Sequence, residues 1–129
     1  MTIKAGITQP KNTVAVIRGS SKTYELTVVD ENNDPVDLTG ARVLFTVKTL
    51  ITDASPVIQK DSQAGAAQIE IMPNPKAGKA RIYLSPSDTR NLDVAEYVFD
   101  AWVVLSSGKR HPVIPPSIFE VEAGVTVLS

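Results

Sequence analysis

The feature that most constrains this sequence is a set of short segments in which apolar and polar residues alternate. In "RVLFTVK", residues 42 to 48, the apolar residues Val43, Phe45 and Val47 occupy every second position. Because successive side chains of a β-strand point to opposite faces, this period of two predicts a half-buried strand. Valine and isoleucine together number 26 against 8 leucines, and β-branched residues favour strands. The sequence therefore predicts an all-β fold.

Comparable segments recur along the chain, separated by connections rich in Pro, Gly, Asn, Asp and Ser. The predicted strands are 13–18, 22–29, 42–48, an edge strand at Val57 and Ile58 inside a long loop over 50–67, then 68–72, 79–84, 95–105, a return strand from Lys109 that ends near "VIPP", and 117–122. Counted without the brief edge strand, these are about seven to eight short strands with turns every eight to twelve residues or so, which indicates a β-sandwich or a small barrel. One short helical turn is expected near 86–91, because Ser85 can cap it and Pro86 fits its first position.

Two segments carry apolar residues on the face that alternation would leave polar. Segment 95–105 has Val98, Trp102 and Val104 opposite its other apolar side, which predicts a central strand covered on both faces. Trp102 is accordingly expected in the core rather than as a ligand platform. Leu44 interrupts the polar side of 42–48, which predicts partial cover by a loop or by a neighbouring chain.

The chain of 129 residues is interpreted as one domain over 13–129 preceded by an N-terminal arm over 1–12. The arm carries Ile3 and Ile7 and is expected to order only on a neighbouring protein; a frayed terminus explains its weak pattern equally well. A second candidate contact is the stiff ledge "VIPP". The predicted partner contacts are Ile3, Ile7, Leu44, Val113, Ile114, Pro115 and Pro116.

Composition and motifs favour a non-enzymatic protein with no cofactor and no metal. Cysteine is absent, which excludes disulfides, thiolate zinc sites and cysteine nucleophiles. The sequence has no serine or cysteine nucleophile motif for which the single histidine, His111, could act as general base. His111 is therefore predicted to be a solvated strand residue. Asp30, Asn32 and Asp34 match the start of a calcium loop, but Pro35 stands where that loop requires glycine. No catalytic residue is therefore predicted.

Charge and hydropathy give no positive indication of a partner. The formal net charge is −1, and the 13 basic residues form no stripe for nucleic acid. No apolar run approaches the 18 residues of a membrane-spanning helix. Contacts with nucleic acid or membrane are therefore not expected.

Five sequence blocks, in order, resemble a known family. They are "RG" at 18–19, the block "D....PVDLTGA.V.F.VK" at 30–48, the block "LSPSDT..L", "Y.FD" at 97–100, and a terminal "F.VE..VT". Together they resemble the immunoglobulin-like domain at the N-terminus of the upper baseplate proteins of tailed bacteriophages, which also occurs in small phage structural proteins. One departure is "HPVIPP", which replaces a polar stretch ending in glycine before the last strand.

The resemblance implies an immunoglobulin-like β-sandwich and a non-enzymatic role in a virion. The implied protein is an accessory or adaptor subunit of a tail, baseplate or head, made in the bacterial cytoplasm, present in several copies and bound to other virion proteins. A carbohydrate-binding or receptor-binding module of a phage adhesion apparatus is the second hypothesis, although an aromatic content of 5% gives few stacking platforms. An enzyme is the third.

Overall fold

The computed structural model describes residues 3–7 and 14–126, and within these ranges the regular secondary structure is almost entirely β-strand. They are β1 Ile3–Ile7, β2 Val14–Ile17, β3 Lys22–Asp30, β4 Arg42–Lys48, β5 Ile58–Asp61, β6 Ile69–Ile71, β7 Lys79–Leu84, β8 Ala95–Val104 and β9 Arg110–Glu122. A 3₁₀ turn spans Pro75–Ala77, and a short helix, α1, spans Pro86–Thr89. No helix in these ranges is long and apolar enough to cross a membrane.

The strands form two sheets that pack face to face. One sheet has the order β1-β3-β7-β6, and the other has the order β2-β9-β8-β4-β5. Neighbouring strands are antiparallel except β2, which runs parallel to β9. The four-stranded sheet corresponds to strands A, B, E and D of an immunoglobulin domain, and β4, β8, β9 and β5 to strands C, F, G and C′. The predicted all-β, immunoglobulin-like sandwich is confirmed, and α1 lies where the helical turn was predicted.

The alternation read from the sequence decides which side chains enter the core. In β3, Tyr24, Leu26 and Val28 are buried, and in β4, Val43, Phe45 and Val47 are completely buried. The Tyr24 hydroxyl donates to the Ala15 carbonyl at 2.8 Å and so links β3 of one sheet to β2 of the other. Burial raises the pKa of Tyr24.

An aromatic cluster on the inner face of the five-stranded sheet occupies the middle of the core. The ring centroid of Phe99 lies 5.4 Å from that of Phe45 and 6.4 Å from that of Phe119. The Tyr97 hydroxyl donates to the Asp93 carbonyl at 2.8 Å, which is the geometry of the tyrosine corner. Phe99 follows that tyrosine by two residues, where antibody domains carry a cysteine of the inter-sheet disulfide. In this chain, ring packing takes the place of the covalent link.

The connection between β3 and β4 closes one end of the sandwich. Val36 and Leu38 are buried, and the Leu38 amide donates to the Pro75 carbonyl at 2.9 Å. Gly78 adopts a φ of +70°, and a Cβ built there would lie 2.6 Å from the Val28 carbonyl oxygen. The backbone approach at this point is therefore too close for any residue but glycine.

The predicted return strand from Lys109 and the predicted last strand at 117–122 are instead the single strand β9. Its pairing with β8 passes from Phe99 opposite Ser117 to Ala101 opposite Ile114, and then to Trp102 opposite Pro112. Each step leaves one extra residue on β9. Such bulges accommodate prolines, which cannot donate ladder hydrogen bonds, without ending the strand. The prediction that a strand ends near "VIPP" was therefore wrong, although Pro115 and Pro116 lie in a bulge and pair with no residue of β8.

The predicted N-terminal arm is corrected over residues 3–7. These residues form β1, an edge strand antiparallel to β3, with Ile3 opposite Asp30 and Ile7 opposite Leu26. Ile3 is 4% exposed and belongs to the core of its own chain, so it is not available to a neighbouring protein. A short segment with an apolar residue at every second position has enough pattern to add a strand to an open edge. The Ile7 side chain and the remainder of the predicted arm lie outside the described residues.

Candidate functional site

The strand β8 is central in its sheet, as predicted, but only one of its faces is covered. Tyr97, Phe99 and Val103 point into the sandwich and are buried. On the opposite face Val98 is half-buried, and Trp102 is 37% exposed. The prediction that Trp102 belongs to the core was therefore wrong. Strand β8 is apolar on both faces, but the described residues cover only one of these faces with a second layer.

Strand register brings the outer-face residues of three strands together. Leu44 in β4 lies directly opposite Trp102 in β8 on one side and opposite Asp61 in β5 on the other. Two residues along, Thr46 lies opposite Asp100. Directly opposed side chains on one face of an antiparallel pair approach within about 5 Å. Leu44 and Trp102 are consequently neighbours at the middle of the sheet.

These residues form the floor of a groove of about 630 Å³, which we call the outer-face groove. Its floor is made by the outward residues of β4 and β8, its first wall by the loop after β4, and its second by β9. The residues that line it are Arg42, Leu44, Thr46, Lys48, Ile51, Ala54, Pro56, Gln59, Val98, Phe99, Asp100, Trp102, Val104, Arg110 and Pro116.

A tight turn holds the first wall in place. The Leu50 amide donates to a carboxylate oxygen of Asp53 at 2.9 Å, and the Asp53 amide donates to the Leu50 carbonyl at 3.0 Å. This turn raises Ile51 beside the groove with 61% of its surface exposed. The loop is thus a fixed wall of the groove, and it presents an apolar side chain.

The charged groups of the groove divide into paired and unpaired ones. The Arg42 guanidinium forms a bidentate bridge with Asp61, with Nε 3.0 Å from Oδ1, and this bond lowers the pKa of Asp61. Trp102 Nε1 donates to Asp100 Oδ2 at 3.0 Å. Among the described residues, Lys48 and Arg110 form no ion pair. Two cations of the groove are therefore open to an added anion.

Six of the seven predicted contact residues fall into three groups in the structure, and the side chain of the seventh, Ile7, lies outside the described residues. Leu44 and Pro116 line the outer-face groove. Pro115 is exposed, Ile114 is half-buried and packs against the core, and neither residue lines the groove. Val113, like Ile3, is buried in the core with 3% of its surface exposed, so the structure removes it from the candidate contacts. The bulges of β9 decide which residues of "VIPP" turn outward.

Sequence reasoning missed the residue at the middle of the groove, Trp102. The available signal was the coincidence of Trp102 on the second apolar face of 95–105 with Leu44 on the polar face of 42–48. The two residues were interpreted separately: Trp102 was predicted to lie in the core, and Leu44 was predicted to be a partly covered surface residue. Their cross-strand pairing is visible only once the register is known.

The remaining polar motifs have structural roles. Asp30 Oδ1 accepts the amides of Asn32 at 2.8 Å and Asp34 at 3.0 Å, so the apparent calcium motif is an Asx-type turn. Asp88 accepts the Ser85 amide at 2.7 Å at the start of α1. Over the described residues, no group of three or more His, Cys, Asp or Glu side chains is placed to hold a metal ion.

Comparisons with known proteins bear on the fold. No protein-family model matches the chain, and no curated protein matches it. Among solved structures, the chain is similar to murine CRIg, at 13% identity over 96% of this chain and 99% of that chain, with a TM-score of 0.42. A likeness of this size says nothing about function. Functional inference therefore depends on the outer-face groove and on the sequence blocks.

Proposed function

We propose that this protein is a non-enzymatic structural or adaptor subunit of a bacteriophage virion, present in several copies and acting through protein–protein contacts. The five sequence blocks that resemble the phage immunoglobulin-like domain support the virion assignment. The observation that carries the contact role is the uncovered apolar face of β8 and β4, with Trp102 at its middle.

The composition of this face resembles that of an interface. Leu44, Val98, Trp102 and Val104 are adjacent across two strands, and charged side chains lie around them. An apolar centre inside a polar rim is the usual anatomy of a protein contact. Tryptophan is enriched among the few residues that supply most of the binding energy at such contacts. The face is also rigid, because it belongs to a hydrogen-bonded sheet rather than to loops.

The same groups favour binding over catalysis. The Asp61 carboxylate is engaged by Arg42, and the Asp100 carboxylate accepts from Trp102. A general base works best when its pKa lies near the working pH, whereas the bridge to Arg42 lowers the pKa of Asp61. The carboxylates of this region instead hold neighbouring side chains in place, which suits a surface with one fixed shape.

The experiment that tests the proposal is quantification of the protein in purified particles of the phage that encodes it. Mass spectrometry should find it at a fixed, multiple copy number, and cryo-electron microscopy should show the groove against another virion protein. Trp102→Ala should reduce incorporation at least tenfold. Ile17→Ala is the matched control, because Ile17 is 52% exposed in β2 at the far edge of the same sheet. Absence of the protein from purified particles would refute the virion assignment.

A carbohydrate-binding role is the second candidate, and one observation favours it. Trp102 is partly exposed beside the polar side chains of Asp100 and Thr46, as in sites where a sugar stacks on an aromatic ring. A glycan array probed with the wild-type protein and with Trp102→Ala separates the two roles. Glycan binding that Trp102→Ala abolishes, in a protein absent from particles, would establish the second role.

A further inference from the structure

We propose that the outer face, meaning the solvent-facing side of the sheet β2-β9-β8-β4-β5, binds a second copy of this chain across a two-fold axis that reverses the strand direction. This inference rests on the proposed function, a subunit present in several copies, and it names the partner at the outer-face groove. It is carried by opposite charge at the two ends of the face, by a pair of carboxylates without a counter-ion, and by apolar residues on three neighbouring strands.

Charged residues of the two signs are equally numerous on the outer face. Its cations, taken over the outward strand positions and the residues that directly adjoin these strands, are Arg18, Arg42, Lys48, Lys109 and Arg110. Its carboxylates, taken in the same way, are Asp61, Glu96, Asp100, Glu120 and Glu122. The face as a whole is neutral, so the arrangement of these charges decides whether it favours or opposes a second copy.

The two ends of β9 differ in charge. At its beginning, Arg110 follows Lys109 and forms no ion pair with any described residue. Near its end, Glu120 lies directly opposite Glu96 of β8, and Glu122 follows on the same face. The face is therefore cationic where β9 begins and anionic where β9 ends.

The remaining charges of the face leave this difference in place. At the cationic end, Arg42 is bridged to Asp61, so this pair adds no net charge. Asp100 lies between the two ends. At the anionic end, Lys48 and Arg18 stand against three carboxylates, and the Arg18 guanidinium is directed to a backbone carbonyl at 3.5 Å. That end consequently keeps an excess of negative charge.

The pair Glu96 and Glu120 is unfavourable within a single chain. The two side chains lie directly opposite each other on neighbouring strands, where like charges destabilise the pairing. Neither carboxylate forms an ion pair with any described residue. A cation supplied by another molecule would remove this repulsion, and Arg110 of a second copy is such a cation.

Only one orientation of two copies brings these opposite charges together. A two-fold axis that lies in the interface and crosses the strands places β9 of one copy over β9 of the other in the reverse direction. Arg110 of each copy then lies near Glu96 and Glu120 of its partner. An axis along the strands would instead bring Arg110 against Arg110, and like charges across an interface oppose association.

Apolar residues occupy the middle of the face on three neighbouring strands. Leu44 in β4 lies opposite Trp102 in β8, and Val98 in β8 lies opposite Ile118 in β9. Five strands about 4.8 Å apart and the length of β8 give a face of roughly 20 Å by 30 Å, or about 600 Å² per copy. Two copies bury about 1,200 Å², which is the lower limit of specific interfaces. The dissociation constant of the dimer should therefore be about 10–100 μM.

Sedimentation velocity of the full chain between about 1 and 500 μM tests for the dimer. We expect the sedimentation coefficient to rise with concentration. Trp102 is the one tryptophan of the sequence and is 37% exposed, so its emission should shift to shorter wavelength over the same range. At about 500 μM, a dimer with a dissociation constant of about 100 μM is mostly formed. A chain that remains monomeric there overturns the inference.

Charge reversal tests the orientation. Arg110→Glu makes both ends anionic, Glu96→Lys with Glu120→Lys makes both ends cationic, and each change should weaken self-association at least about tenfold. An equimolar mixture of these two variants should form a mixed dimer about as tightly as the wild type dimerises, because opposite charges then meet at both contacts. The matched control is Lys4→Glu, an exposed position of β1 in the other sheet, which should change the dissociation constant by less than about twofold.

The possible results separate this inference from the proposed function. Equal dimerisation of Arg110→Glu and Lys4→Glu, or no association in the mixture, would show that the proposed contact is wrong. Particles in which the groove lies against a protein of different sequence would overturn the inference while the virion role stands. Glycan binding by a monomeric chain that Trp102→Ala abolishes would also overturn it. A dimer that behaves as expected, in a protein absent from purified particles, would refute the virion role and leave the dimer established.

Discussion

Two substitutions in β8 test whether that strand is covered on one face or on two. Phe99→Ala truncates a residue that points into the sandwich, and Trp102→Ala truncates one that points out of it. Both residues are aromatic, both lie in the middle of the same strand, and they are three positions apart. The difference between their effects therefore measures the cover on each face.

The expected magnitudes follow from burial and contacts. Phe99 is 3% exposed and contacts the rings of Phe45 and Phe119, so its truncation should leave a cavity and cost about 3–5 kcal/mol. That is a large part of the roughly 5–15 kcal/mol by which a domain is stable. Trp102 is 37% exposed, and its hydrogen bond to Asp100 is at the surface. Its loss should cost about 1 kcal/mol.

Urea unfolding followed by far-ultraviolet circular dichroism measures both values, and it does not depend on the tryptophan signal. Ile118→Ala provides a reference, because Ile118 is a 42% exposed residue of β9 and should change the free energy of unfolding by less than about 0.5 kcal/mol. A cost for Trp102→Ala equal to that for Phe99→Ala would show that the outer face is packed as tightly as the core. The reasoning that leads to an open groove would then be refuted.

Three further predictions concern how the sandwich is held together. Gly78→Ala should destabilise the protein by at least about 3 kcal/mol, because the new Cβ would lie 2.6 Å from a backbone oxygen. Gly108→Ala is the control: Gly108 has a φ of +88° but open space around it, so its substitution should cost only about 1 kcal/mol. Equal urea midpoints for the two variants would contradict the predicted clash at Gly78. Tyr97→Phe removes the hydroxyl that donates to the Asp93 carbonyl and should cost about 1 kcal/mol in the same assay, whereas an unchanged midpoint would mean that the tyrosine corner adds no stability. Burial raises the pKa of Tyr24, so above about pH 10 the unfolded chain loses a proton that the folded chain retains. The free energy of unfolding should therefore fall above about pH 10, by up to about 1.4 kcal/mol per pH unit. A Tyr24→Phe variant with the same alkaline slope would exclude this tyrosine as the cause.

Much of the fold could be predicted because its determinants are local. The period of two in β3 and β4 identified the buried residues Leu26, Val28 and Phe45 from sequence neighbours alone. The start of α1 was equally local, since Ser85 and Pro86 lie within one turn of each other. Patterns of this kind require only that one face of a segment be exposed to solvent and the other face be buried.

The wrong predictions have a different cause. Each depends on what packs against a segment, and the sequence of that segment does not show this. The arm at 3–7 has the pattern of a weak strand, and only the open edge of β3 makes it β1. The prolines of β9 remain in a strand because bulges against β8 absorb them. Trp102 was assigned to the core because an apolar face usually has a covering layer. Sequence pattern indicates that a face is apolar, but it does not indicate which molecule covers it.

In the outer-face groove, the question of which molecule covers an apolar face concerns function. An apolar surface around Trp102 and Leu44 exposes the protein to nonspecific association, and a chain without a partner would gain by making such positions polar. Charged side chains of both signs, among them Arg42, Lys48 and Glu96, lie around the apolar middle and keep its rim polar, which limits this cost. An apolar centre inside a charged rim fits the proposed contact role better than incomplete burial does.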